Sequence, residues 1–267
     1  MELGTALERL YARYNEREYV DPDPLVFLYR YDEVRDREVA GLVASSLAYG
    51  NVKQIKRSID AALSAMGPSP ARYLIDGTER MIQRSLSGFR HRWTGEEELA
   101  GMLIGIKRAL EKFGSLESCF TAGLGNDDQD IIPALTHFVD KVGYNECGGR
   151  KLLASPEKKS ACKRLNLFLR WMVRSDAVDP GGWTAVSPSL LIVPLDTHMN
   201  RIARALGMTG RRQMNLATAR EITAAFRKIA PADPVRYDFA LTRLGIRRDE
   251  DREEWLALFG LEERIVA

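Results

Sequence analysis

Apolar residues recur along most of this chain at the three-to-four-residue spacing of an amphipathic helix. Leu7, Leu10, Tyr11 and Tyr14 mark a first helix, and DPDPLVFLYRY (21–31) sets Asp23 as an N-cap with Pro24 at the first helical position. REVAGLVASSLAYG (37–50) is a strongly apolar helix ending at Gly50, and Asn51 restarts the chain into VKQIKRSIDAALSAMG (52–67). PARYLIDG (70–77) is a shorter helix, and SGFRHRW (87–93) is a loop or helix entry. GEEELAGMLIGIKRALEKFG (95–114) begins acidic and ends basic, as the helix dipole favours. DIIPALTHFVDKVG (130–143) tolerates Pro133 only in its first turn. Turn signals follow at Gly148–Gly149 and Ser155–Pro156. The remaining helices are KRLNLFLRWMVR (163–174), THMNRIARALG (197–207) with Gly207 as C-cap, NLATAREITAAFRKIA (215–230), DPVRYDFALTRLG (233–245) and EEWLALFG (253–260). LLIVP (190–194) is the only strand-like run, too little for a sheet. The pattern predicts an all-α fold.

The stretch from Lys163 to His198 concentrates the chemistry. On a helix over 163–174, Leu165, Phe168, Leu169 and Met172 share one face, while Lys163, Asn166, Arg170 and Arg174 form a polar stripe headed by the lysine. Arg170 and Arg174 are expected at the surface or a domain interface. Lys163 stands at a helix start, where the dipole disfavours an ammonium, and a neutral amine is a nucleophile. A lysine in that place also serves simply to solvate a surface. Asp196 is placed to cap the helix that follows it, a role worth ~1 kcal/mol by itself. The apolar LLIVP before it predicts a buried connector that limits water around the carboxylate. The turn-rich insert SDAVDPGGWTAVSPS (175–189) separates the two residues.

Composition narrows the class. The chain has 267 residues with 45% hydrophobic and 28% charged content, that of an ordinary globular protein. No apolar run approaches the ~20 residues of a membrane-spanning helix, so no membrane partner is expected. Cys119, Cys147 and Cys162 are odd in number and lack ligand spacing, which argues against a disulfide framework or a zinc site and suits a reducing cytoplasm. The net charge is only +2, yet residues 150–228 carry fifteen Lys/Arg against five Asp/Glu. That basic middle is either a phosphate-binding footprint or a solvated helical surface. There is no nucleotide-phosphate loop and no cluster of metal ligands in the sequence, so no metal and no cofactor is expected.

A lysine opening one helix and an LDTH aspartate starting another resemble the helix-hairpin-helix DNA glycosylase superfamily. VASSLAYGNVKQI (43–55) looks like its apolar helix and DNA-facing turn, and KRLNLFLRWMV (163–173) like the second hairpin helix with its lysine. IVPLDTHMNRIARALG (192–207), followed by the helix around Ala219–Ile229, looks like its aspartate segment. The Lys163–Asp196 spacing is longer than in endonuclease III and closer to the archaeal 8-oxoguanine glycosylase branch. The whole chain also resembles a bacterial family marked by KRLNLFLRWMVR and PLDTH, a match that carries no established activity. Two departures stand out. The hairpin-like turn LLASPEKKSACK (152–163) contains no glycine, and no four-cysteine cluster follows the last helices, so no iron–sulfur cluster is implied.

The resemblance implies two interleaved helical domains, 31–174 and 1–30 plus 175–267, with a cleft between them. It implies a DNA glycosylase/lyase of base excision repair acting on duplex DNA that holds a damaged base such as an oxidised purine. The base would be flipped out of the stack, Lys163 would attack C1′, and Asp196 would take a proton or stabilise charge on the sugar. Tyr49 and Asn51 are candidates to fill the vacated stack. Trp183 is a candidate to stack the flipped base and His198 to orient Asp196, though each also reads as a packing residue. Lys158, Lys159, Arg90 and Arg92 are candidate phosphate contacts. A monomer in the cytoplasm, associated with the nucleoid, is expected. The alternatives are a catalytically silent nucleic-acid binder, with Lys163 as a phosphate contact, and a helical interaction protein without a nucleic-acid role.

Overall fold

Two helices, α2 (Val34–Ser46) and α9 (Lys163–Val173), are too apolar for a surface position and pack against each other at the centre of the molecule. The computed structural model describes residues 2–143, 152–246, 253, 256–257 and 259–260. Every residue of α2 from Glu38 to Ser46 is buried, including both serines. A Cβ on Gly41 would meet Leu28 at 3.3 Å and Phe168 at 3.4 Å, so the missing side chain there lets α9 approach closely.

The other helices wrap this pair. α3 (Val52–Met66), α4 (Pro70–Asp76), α5 (Glu79–Ser85), α6 (Glu96–Phe113), α7 (Leu116–Thr121) and α8 (Ile132–Val142) form one side, with the 18-residue α6 as their common support. α1 (Leu3–Tyr14) packs on α12 (Asp238–Ile246), and α12 in turn on α10 (Thr197–Ala205); α11 (Leu216–Ile229) adds Ala219, Ile222 and Phe226 to the core. The all-α expectation therefore holds at the level of secondary structure. The buried apolar residues of both sequence segments join in one cluster that runs from Leu7 to Leu256.

Local expectations differ in places. Residues 24–30 form a 3-10 helix instead of an α-helix, with Asp23 capping as expected by accepting from the Leu25 N–H. SGFRHRW is a loop, as one of the two expectations had it, but it carries the first strand of a small hairpin. Arg90–His91 (β1) pairs antiparallel with Thr94–Gly95 (β2) around a two-residue turn in which Arg92 takes φ 55°. The short helices α5 and α7 had no periodic signal long enough to find. LLIVP is extended but joins no ladder; residues Leu191, Ile192 and Val193 are buried, and the Val193 N–H donates to Thr223 Oγ1 at 3.0 Å. The expected turn at Gly148–Gly149, Cys147 and most of the expected EEWLALFG helix lie outside the described residues.

Glu38 is the one acid in the buried run of α2. Its carboxylate accepts from the backbone N–H of Leu116 at 2.7 Å and of Glu117 at 3.2 Å, and from Trp183 Nε1 at 2.9 Å. It thereby fixes the start of α7 and anchors the insert that follows α9. Burial pushes its carboxyl up from 4.5 to about 7, against the pull of these donors. The folded state thus holds a proton between pH 4.5 and 7 that the unfolded state releases. The stability this confers is complete below about 4.5 and is lost as pH rises towards 7. Glu38→Gln cannot titrate and turns an amide against backbone donors. In urea melts across pH 4.5–7, wild type is expected to lose about 3 kcal/mol relative to this variant as pH rises. A parallel pH dependence in the two proteins would contradict this assignment.

Candidate active site

Lys163 and Asp196 meet. Lys163 Nζ lies 3.3 Å from Asp196 Oδ2, with side chains 35% and 27% exposed, enough to be reached from solvent. Each is placed by local backbone chemistry. Lys163 is the first residue of α9, after a glycine-free turn made of a 3-10 helix (Pro156–Lys158) and two residues in the left-handed region, Lys159 at φ 57° and Cys162 at φ 47°. The strain that glycine would relieve is carried by these two side chains. Asp196 Oδ1 accepts from the Met199 N–H at 2.9 Å and caps α10. One carboxylate oxygen therefore starts a helix while the other faces the lysine.

The pair stands in the wall of a pocket of about 690 Å³, within the range that holds a small organic ligand. The turn after α2, the first turns of α9 and α10, and α12 enclose it. Behind its mostly apolar lining lies a buried ion network. Arg170 Nη1 donates to Asp238 Oδ2 at 2.5 Å, and Arg170 Nε to Asp179 Oδ1 at 3.2 Å. Arg174 bonds Asp179, Asp176 and Asp233. Sequence placed Arg170 and Arg174 at a surface or interface. They are 2% and 4% exposed, because the aspartates of the insert and of the chain leading into α12 close over them. In this cluster four carboxylates face two guanidiniums. Burial pushes Asp238 up to about 6, with nearby Asp196 adding to the rise and Arg170 opposing it.

Among the described residues, side chains lining this pocket carry polar atoms that are buried without a hydrogen-bond partner, among them Trp171 Nε1, Arg170 Nη2, Asp238 Oδ1 and His198 Nδ1. Being closed off from solvent, they reach a guest only if the wall shifts. Among the described residues, no group of three or more His, Cys, Asp or Glu side chains is arranged to hold a metal ion. Cys119 and Cys162 are buried free thiols, both pushed up by burial, Cys162 to about 11, and neither is poised as a nucleophile.

The other candidates separate. Tyr49 lines the pocket mouth; its hydroxyl lies 2.7 Å from Thr94 Oγ1 and 3.0 Å from the His91 carbonyl. Asn51 caps α3 through the Lys53 N–H, an ordinary helix-start role. His198 lines the pocket beside Asp196. Trp183 does not: it is 2% exposed, edge-on to Phe168 at 5.2 Å and bonded to Glu38, so it is a core residue and cannot stack a guest base. The insert folds back because Gly181 and Trp183 N–H groups donate to the last carbonyls of α9, at 3.0 and 2.8 Å, which carries Trp183 inward. Lys158, Lys159, Arg90 and Arg92 are exposed and lie outside the pocket lining. Sequence reasoning missed Trp171 and Asp238. The only trace of Asp238 was a polar Asp238–Thr242 i, i+4 pair on a helix that also carries Arg243, and Trp171 read as one more core aromatic.

A helical protein with a paired amine and carboxylate at the mouth of a pocket is the class these observations define. A family model described as protein of unknown function (DUF2400) matches residues 23–247, and the chain belongs to that family. No curated protein and no solved structure matches it.

The double role of Asp196 gives a direct test. Asparagine keeps the capping oxygen and removes the charge; alanine removes both. Asp196→Asn is expected to leave urea stability within ~0.5 kcal/mol of wild type, and Asp196→Ala to cost about 1 kcal/mol. Equal losses in both would mean that the ion pair, and not the cap, carries the stability.

Proposed function

We propose that the protein is a DNA glycosylase/lyase of base excision repair, acting on a base extruded from duplex DNA. The observation that carries this reading is the 3.3 Å approach of Lys163 to Asp196 at the mouth of a pocket of about 690 Å³. A base cannot be attacked within the stack, so a nucleotide must swing into a cavity of this kind.

Transfer of an ammonium proton from Lys163 to Asp196 Oδ2 frees the nitrogen lone pair. That pair forms the N–C1′ bond as the glycosidic bond breaks, and its electrons leave with the base, which takes up a proton. The resulting aminal opens to a Schiff base as O4′ gains a proton. Loss of a C2′ proton then expels the 3′ phosphate by β-elimination. Asp196 is held for this by its own cap, so its free oxygen points at the amine without a further ordering cost. Lys158 and Lys159 on the turn before α9, with Arg90 and Arg92 on the hairpin, are the proposed phosphate contacts. The fold assignment that goes with this reading is a two-domain helix-hairpin-helix glycosylase with Lys163 and Asp196 on opposite sides of the cleft.

Borohydride reduces a lysine Schiff base to a stable adduct, which makes the reading testable without knowing the lesion. Wild type incubated with duplexes containing an abasic site or 8-oxoguanine is expected to give a covalent adduct on reduction. Lys163→Gln is expected to give none, and Asp196→Asn a slower one by roughly 10²–10⁴-fold. Absence of adduct from wild type, with DNA still bound at low salt, would instead identify a silent binder.

A further inference from the structure

Trp93 is the most exposed large apolar side chain among the described residues, at 71%, on the two-residue turn between β1 and β2. An indole of that exposure costs solubility and has no packing role of its own. It is nevertheless held in place. Its ring stacks on Tyr49 with centroids 5.1 Å apart and planes 19° from parallel. Tyr49 is bonded to Thr94 and to the His91 carbonyl. His91 is buried and fixed in turn, Nδ1 to Ser58 Oγ at 2.9 Å and Nε2 to the Tyr49 carbonyl at 3.1 Å. The turn is thus braced to α3 and to the end of α2.

Two guanidiniums complete the group. Arg92 Cζ lies 4.5 Å from the centre of the Trp93 ring, and Arg164 Cζ 5.2 Å from that of Tyr49. Four planar groups thus touch in series, two aromatic and two cationic. The series begins at Tyr49, in the mouth of the Lys163–Asp196 pocket, and ends in solvent. Gly50 allows this closeness: its φ is +102°, and a Cβ there would lie 2.8 Å from Arg92. A flat aromatic face beside positive charge suits a flat partner carrying negative charge, and suits poorly an aliphatic peptide side chain.

We propose that Trp93, braced by Tyr49, is a stacking platform for an unpaired nucleobase of a DNA strand lying beside the pocket. Arg92, an exposed side chain, exchanges its contact with the ring for one with the adjoining phosphate. The proposal rests on the nucleic-acid reading of the site but not on its chemistry, because stacking needs neither Lys163 nor Asp196. It adds a second base-binding position outside the pocket, on the hairpin where only phosphate contacts were expected.

The test uses the full chain and a duplex containing a tetrahydrofuran abasic analogue, which has no C1′ aldehyde and cannot form a Schiff base. Binding is followed by anisotropy, and Trp93 by the difference in tryptophan emission between wild type and Trp93→Phe. DNA is expected to quench the Trp93 emission. Trp93→Ala is expected to weaken binding by about 5- to 150-fold, the equivalent of ~1–3 kcal/mol per stacked base. Trp93→Phe is expected to stay within about threefold of wild type, and Lys163→Gln to retain both binding and quenching. Wild-type affinity in Trp93→Ala, with its thermal melt unchanged, would overturn the platform. So would a Trp93 emission change that follows protein concentration without DNA, which would assign the face to a second copy of the chain. Trp93-dependent binding without borohydride trapping would remove the glycosylase reading and leave the platform standing.

Discussion

The burial of α9 on all sides is the constraint on which the rest of the structure depends. A helix with two arginines and an asparagine along one stripe cannot be buried unless those groups find partners, since an unpaired buried guanidinium costs several kcal/mol. The partners arrive from three places. Asp176 and Asp179 come from the insert immediately after the helix, and Asp233 and Asp238 from the chain leading into and beginning α12. Asn166 donates to the Ala161 carbonyl within its own turn. Satisfying the stripe therefore dictates where the insert folds and where α12 docks. Asp238 bonds Arg170 in the pocket interior, so the ion network and the pocket share a wall. Lys163 is the one member of the stripe left at the end of the helix, outside the closed network, and it faces the cavity.

The same geometry explains how two residues far apart in sequence are brought within contact. LLIVP travels from the insert to α10 as buried extended chain, fixed by Thr223, and delivers Asp196 at its exit. The capping bond then sets the carboxylate, because Oδ1 is committed to the Met199 N–H. The direction of Oδ2 follows from the direction of α10. Both members of the pair are thus positioned at helix starts, Asp196 by its capping bond and Lys163 as the first residue of α9.

Much of this was legible from local pattern, and the failures have a common origin. The helices around Leu7, Val39, Leu103 and Ile222 follow from periodicity, and the caps at Asp23 and Asp196 from residue type, because both signals are local. The pairing of Lys163 with Asp196 was reachable only through resemblance, not from any spacing rule. The hairpin at 90–95 was invisible because a two-residue strand has no alternation to detect. Trp183 was misjudged because glycine-rich sequence reads as exposed loop, whereas here Gly181 and Gly182 let the backbone turn back onto α9. Charge counting failed in a similar way. The basic surplus of residues 150–228 includes Arg170 and Arg174, which are internal, and Arg220, which pairs with Asp130. Which charges face solvent is a tertiary property, so the sequence total overstates what a phosphate backbone would meet.

The pocket mouth and the pocket interior differ in the physics that governs them, and that difference bears on how the site works. At the mouth, Lys163 and Asp196 are partly exposed, so their attraction is screened by solvent. In the interior, Asp238 and Arg170 are sealed, and burial dominates the carboxyl. A guest that fills the cavity would exclude water from the mouth as well and move the Lys163–Asp196 pair toward the interior regime. Desolvation of that kind disfavours the separated charges and favours proton transfer from ammonium to carboxylate, which is the step that makes the amine a nucleophile. On the glycosylase reading proposed above, occupancy of the site would in this way favour the neutral amine that attacks the ligand.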